Sequence, residues 1–192
     1  MASPSRLPAL LLGLVLGAAG GFAVTHHFFN KAQEPAHEVF YSNEPEIMLF
    51  PAGFTVEEGV DTPELYQAMV NPDAIRIHPA SESGSLVVEG WKFSPEGATP
   101  DQETTDRLKW ALGSVSSYEP PGKVCRFHAD VLLRLEKDGR THDIIFCFSC
   151  SETTAGLDMS IEGKRTFLKC FCDGLPGYTS LHEARKTFEE RY

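Results

Sequence analysis

Five cysteines carry most of the chemistry open to this chain: Cys125, the pair in Cys147-Phe148-Ser149-Cys150, and the pair in Cys170-Phe171-Cys172. Thiol sulfur forms disulfides, holds soft metal ions or acts as a nucleophile, and the choice depends on compartment and on neighbouring groups. A redox Cys-x-x-Cys normally opens a helix, whose N-terminal dipole stabilises the thiolate. Here Ser151-Glu152-Thr153-Thr154-Ala155-Gly156 follows, a turn sequence without helical periodicity, which argues against thioredoxin-like chemistry. The chain also has no Gly-rich phosphate loop, no Gly-x-Ser-x-Gly elbow and no His-Glu-x-x-His helix.

The element that must order these thiols is a β-hairpin. From Cys125 to Leu135 the odd positions are Cys, Phe, Ala, Val, Leu and Leu, while the even ones are Arg126, His128, Asp130, Leu132 and Arg134, the pattern of a strand with one face on a core. Asp138-Gly139 is a strong two-residue turn signal, and His142 to Cys150 supplies the returning strand. With that turn, Leu135 faces His142, Leu133 faces Ile144, Val131 faces Phe146, Ala129 faces Phe148 and Phe127 faces Cys150. A one-residue slip would set Asp143 and Ser149 against the apolar set, so burial selects the first register.

This register puts Cys125 on the same face as Cys150 and diagonal to it, with Cys147 on the opposite, more polar face. A Cys125–Cys150 disulfide is therefore predicted, closing a loop of about 25 residues that contributes about 3 kcal/mol by the chain-entropy estimate. The alternative is that both are small buried apolar residues. Opposite Cys147 stands Asp130, with His128 two residues along the same side. Such a trio could hold a transition metal or activate a thiolate, although polar residues on a hairpin's outer face often serve only as solvated cover.

Cys170 and Cys172 alternate with Phe171, and in a strand both would project to one face. One use for them is a four-thiolate zinc site with Cys125 and Cys150, but the paired Cys-x-x-Cys knuckles typical of such sites are missing. Two disulfides would leave one thiol over, and Cys147 is the natural free one. No cofactor is otherwise expected. Trp91 and Trp110 read as core anchors, and His26, His27 and His37 as scattered surface histidines.

Three helices and a further hairpin complete the domain. Asp61-Thr62-Pro63-Glu64 begins a helix that Asn71-Pro72 ends. Thr99-Pro100-Asp101 begins a second, with Leu108, Ala111, Leu112 and Val115 at helical spacing. Ser180-Leu181-His182-Glu183 has the form of a capping box for a third, striped by Leu181, Ala184, Phe188 and Tyr192. Ala74–His78 and Leu86–Phe93 read as two strands forming a hairpin.

Ahead of the domain, residues 7–24 are apolar and uncharged. Their length lies between a signal-peptide core of about 7 to 15 residues and a spanning helix of about 20. Removal at Gly21-Phe22-Ala23 and retention as an anchor both remain open. Either way the positive-inside rule, with Arg6 cytosolic, places the rest outside the cytosol. Gly13, Gly17 and Gly21 would line one face of that helix and could let two copies approach. Residues 25–45 read as a tether.

The formal charge of −10 argues against nucleic acid and anionic lipid headgroups as partners. Cys125-Arg126-Phe127 opening one strand and Cys147-Phe148-Ser149-Cys150 closing the next resembles an uncharacterised family of small exported bacterial proteins, over about residues 120–151. That likeness implies a small α+β domain in a bacterial setting and transfers no catalytic residue.

The expected architecture is thus α+β: an apolar N-terminal helix (1–24), a tether (25–45) and one extracytoplasmic domain (46–192). The domain should hold an antiparallel sheet of about five to seven strands with about three helices packed on it. The expected role is a membrane-tethered or secreted envelope protein, non-enzymatic, that binds a protein partner or acts structurally. The rival is a thiol- or metal-dependent protein using Cys147 with His128 and Asp130.

Overall fold

The computed structural model describes residues 50–122 and 125–192, all within the unit Ile47–Tyr192. The apolar leader, its glycines, the tether and its histidines lie outside the described residues. No helix among the described residues is long and apolar enough to cross a membrane. Among the described residues the fold is α+β, with a six-stranded antiparallel sheet, a separate two-stranded hairpin and five α-helices.

Local signals start the helices. A short turn, α1 (Val56–Gly59), precedes α2 (Pro63–Val70), where the Thr62 hydroxyl accepts the Leu65 N–H at 3.1 Å and Asn71 closes the other end. Helix α3 (Gln102–Gly113) begins where the Asp101 carboxylate accepts the Thr104 N–H at 2.8 Å. In both, the side-chain oxygen satisfies a donor that the helix itself leaves unpaired.

The sheet is assembled from β1 (Ala74–Pro79), β4 (Tyr118–Glu119), β5 (Val131–Lys137), β6 (Arg140–Cys147), β7 (Glu152–Thr153) and β8 (Asp158–Met159). Its spatial order is β1-β5-β6-β7-β8-β4. The central pair has the register that burial demands: Leu135 opposite His142, Leu133 opposite Ile144 and Val131 opposite Phe146. Asp138 and Gly139 turn at φ 51° and 73°, the positive pair that matches the twist of the flanking strands. Lys137 and the Asp138 N–H are both held by the Asp73 carboxylate, at 3.2 and 2.8 Å.

Two strand expectations are corrected. Ala74–His78 does not pair with Leu86–Phe93; β1 pairs with β5 and takes the sheet edge. Leu86–Phe93 is itself a hairpin, β2 (Leu86–Val88) against β3 (Trp91–Phe93). Glu89-Gly90 turns it at φ 50° and 85°, the same turn chemistry as Asp138-Gly139 but without a Gly-adjacent Asp or Asn to announce it. It docks through Ser81 N–H to Lys92 O (2.9 Å) and Ser94 N–H to Pro79 O (3.0 Å).

The C-terminal half departs further. Ile161–Gly174 is a helix, α4, so Cys170 and Cys172 are not on a strand. Phe167, Leu168 and Phe171 recur at helical spacing and are buried, a longer-range signal than the local Cys-Phe-Cys alternation. Helix α5 spans Thr179–Arg191, and Ser180 lies inside its first turn, so the expected capping box does not form. The Tyr178 hydroxyl donates to the Ala80 carbonyl at 2.7 Å; anchored there, the chain enters α5 at once. Leu181 and Phe188 are buried, while Tyr192 lies 62% exposed against Phe188.

Helix α4 is pinned at its start. The Ser160 hydroxyl lies 3.0 Å from the Gly163 N–H that it accepts and 2.6 Å from the Ser116 carbonyl. A Cβ on Gly163 would collide with the carbonyl of Ser117. Because the obstacle is main chain, which cannot swing aside, Gly163→Ala should cost about 1–3 kcal/mol, read as a lowered urea midpoint with unchanged slope.

Two cores result. Odd residues of β5 with Ile144 and Phe146 face the helices, where Phe146 meets Phe167 and Phe171 at 5.0 Å each. The other face of the sheet is also covered: Leu132, Ile145, Ala129 and Phe93 form a second cluster under the β2–β3 hairpin. Of the two tryptophans, Trp91 packs against this cluster, whereas Trp110 is 56% exposed and is not a core residue.

Candidate functional site

Where β5 begins, the alternation read from the sequence breaks. Val131 lies on the helix side, yet Phe127 and Ala129 pack into the second cluster with Leu132 and Ile145. The expected pairs of Ala129 with Phe148 and Phe127 with Cys150 therefore do not form. The cause is Asp130, whose N–H donates to the Phe146 carbonyl at 2.9 Å while its carboxylate accepts the Phe148 N–H at 2.7 Å. The carboxylate takes the place of the next main-chain partner, and residues 125–130 leave the ladder. Asp130→Ala would leave the buried Phe148 N–H unpaired, with an expected loss of about 1–3 kcal/mol in a denaturant titration.

Leaving the ladder lets Cys125 approach Cys150. The two sulfur atoms are in bonding contact, with Cα atoms 6.0 Å apart, inside the range that disulfides span. Around them the Arg126 carbonyl lies 3.4 Å from the Cys150 sulfur, and a Glu152 carboxylate oxygen 3.8 Å from that of Cys125. Cys125 is exposed, Cys150 buried and Glu152 half-buried.

This sulfur pair edges a groove of about 940 Å³ between the sheet end and helices α4 and α5. Phe148, Met159, Ala184 and Phe188 give it an apolar floor, and Glu119, Asp130, Lys164 and Arg191 give it charges of both signs. Lys164 lies 5.4 Å from the Phe188 ring centroid and 3.3 Å from the Ser151 hydroxyl. Ser151 turns at φ 62°, which swings the chain from Cys150 back into β7 and sets Glu152 opposite Cys147.

The Cys147, His128 and Asp130 trio is placed differently from a metal or nucleophile site. Cys147 does lie on the opposite side from Phe146, but it is fully buried, because that face carries a second core. Its sulfur sits 3.3 Å from the main-chain N–H of His128 and 3.2 Å from the Ser149 hydroxyl. The His128 ring meets Asp130 at 3.3 Å and the edge of Trp91. Thus His128 and Asp130 come together, while the sulfur is served by the histidine's main chain rather than its imidazole.

Cys170 and Cys172 are buried on α4 and stand outside the Cys125, Cys150 and Glu152 group. Two positions apart on a helix, they face different neighbours. Burial pushes the Cys170 thiol up to about 11, with Arg107 working the other way, and also raises that of Cys172, against Arg185. Both are poor nucleophiles near neutral pH.

Glu152 and the groove-lining residues of α4 and α5 were not legible as site residues. The only hint was the spacing Cys150-x-Glu152 after a turn, which local patterns give no reason to single out. No family model, curated protein or solved structure matches the chain, so the functional reading rests on this groove and the sulfur atoms at its edge.

Proposed function

We propose that the chain is a non-enzymatic binding module of a bacterial envelope. In this reading residues 7–24 hold it outside the cytosol or are removed, the groove receives a protein segment, and a Cys125–Cys150 disulfide braces one wall. The observation that carries the reading is the division of the thiols: two meet at the groove's edge, while Cys147, Cys170 and Cys172 are buried as free thiols. An oxidised pair suits an exported protein. The apolar floor flanked by both signs of charge suits a peptide better than a polyanion, and so does the net charge of −10. The rival reading, a thiol or metal centre at Cys147 with His128 and Asp130, has less support, because burial denies that sulfur a substrate.

Counting thiols tests the proposal. Protein extracted from its native compartment under acid trapping, then unfolded with an alkylating agent and no reductant, should carry label on the three free cysteines. All five should label after reduction, and the folded protein should label on none. Five labels without reduction would overturn the brace and the extracytoplasmic reading together.

A further inference from the structure

The geometry points to a second state of the Cys125–Cys150 pair: once reduced, the two thiolates and the Glu152 carboxylate form a three-ligand site for a borderline-soft divalent cation such as Zn²⁺, with one coordination position open to the groove.

The ligand atoms of Cys125, Cys150 and Glu152 already lie within 4.8 Å of one another. Around a tetrahedral zinc ion, with Zn–S about 2.3 Å and Zn–O about 2.0–2.2 Å, ligand atoms stand about 3.5–3.8 Å apart. With the sulfur atoms still in contact, the Cys125 sulfur and the Glu152 oxygen stand 3.8 Å apart, already at that spacing, which Cys125 can keep by pivoting about the carboxylate. The sulfur atoms must separate, and the parts that hold them allow it. Glu152 is fixed by the pairing of β7 with β6, and Cys150 by the turn between those strands. Cys125 is exposed and belongs to the segment that Asp130 releases from the ladder, so it can retreat while the other two stay.

The donor set decides the ion. Two thiolates and one carboxylate favour Zn²⁺, Co²⁺ or Cd²⁺ over Mg²⁺ and Ca²⁺, which demand all-oxygen shells. Three protein ligands are one fewer than a closed structural zinc site uses, so the fourth position takes water or an anionic group from a groove ligand.

Conversion between the states balances with a dithiol reductant. One of its thiolates attacks the exposed Cys125 sulfur, forms a mixed disulfide and expels Cys150 as a thiolate. Its second thiolate then breaks the mixed bond and frees Cys125. The reductant leaves as a disulfide, having passed two electrons and two protons to the pair; the incoming cation displaces those protons. This inference needs only the meeting of the two sulfur atoms with the Glu152 carboxylate and does not rest on the groove's occupant or on the compartment.

Cobalt titration of the full chain in oxygen-free buffer tests it, with the reductant removed beforehand. The reduced protein should take up one Co²⁺ per chain with a sulfur-to-cobalt charge-transfer band that Zn²⁺ abolishes, and the oxidised protein none. Glu152→Gln keeps the shape of the side chain and should weaken binding by at least the about 10-fold that loss of even an outer-shell partner costs. Its circular dichroism reports whether the fold is kept. Cys125→Ser should lose most of the band, and Cys147→Ser should leave it unchanged. The inference is overturned by a reduced protein without the band, by equal uptake in the oxidised protein, by a folded Glu152→Gln variant that titrates like the parent, or by a band that vanishes with Cys147→Ser.

Discussion

Phe146→Ala should lower the free energy of unfolding by about 3–5 kcal/mol. Phe146 is fully buried and stands on β6 at the contact between sheet and helix α4, touching Phe167 and Phe171 at 5.0 Å each and Phe148 at 6.2 Å. Truncation removes the ring's transfer energy and opens a cavity that β6 cannot close, because strands pair with it on both sides. Its neighbour Phe148 lines the groove, so loosening should also reach the binding face. Urea titration gives the measure, with the exposed Trp110→Ala as a reference expected to stay within about 0.5 kcal/mol of the parent. A Phe146→Ala variant as stable as the Trp110→Ala variant would show that the sheet and α4 do not share a core.

Reducing the proposed Cys125–Cys150 disulfide, or replacing both residues by serine, should cost about 3 kcal/mol. The two residues are 25 apart in sequence, and a crosslink closing a loop of that length restricts the unfolded chain by about that amount. The expected signature is a lowered midpoint on adding reductant to the parent and no response to reductant in the double variant. Cys147→Ser provides the contrast: it keeps the response to reductant, because its sulfur is outside the bridge. If the parent melts identically with and without reductant, the crosslink contributes nothing to the native state.

Much of the scaffold was readable because its causes are local. Asp138-Gly139 demands positive φ at consecutive positions, and the side-chain period of two then ties Leu135 to His142 and Val131 to Phe146 with no freedom left. The starts of α2 and α3 follow from Thr62 and Asp101, whose oxygens take helix donors within three residues. Where a local pattern admitted two readings, it misled. Cys170-Phe171-Cys172 alternates like a strand, but the helical spacing of Phe167, Leu168 and Phe171 against the sheet prevails, since burying those aromatics outweighs the propensity of three residues.

The candidate site was legible only in part, and Asp130 shows why. As a sequence position it belongs to the polar face of a strand. In the folded chain its carboxylate takes the Phe148 N–H, ends the ladder, reverses the facing of Phe127 and Ala129, and frees Cys125 to reach Cys150 by a route other than strand pairing. The strand's period of two sets Cys147 opposite Phe146, but the pattern of polar residues on that face does not show that the β2–β3 hairpin, which comes from another part of the chain, covers it.

The sequence by itself determined the α+β character, the central hairpin with its register, two helix starts and the opposed facing of Cys147 and Phe146, all set by interactions spanning a few residues or by one strand's period. Only the tertiary structure decided that the sheet carries cores on both faces, that Glu152 joins the sulfur pair, and that α4 and α5 form the far side of a groove. Those outcomes depend on which distant surfaces find apolar partners, and that energy resides in contacts between segments that no local pattern encodes.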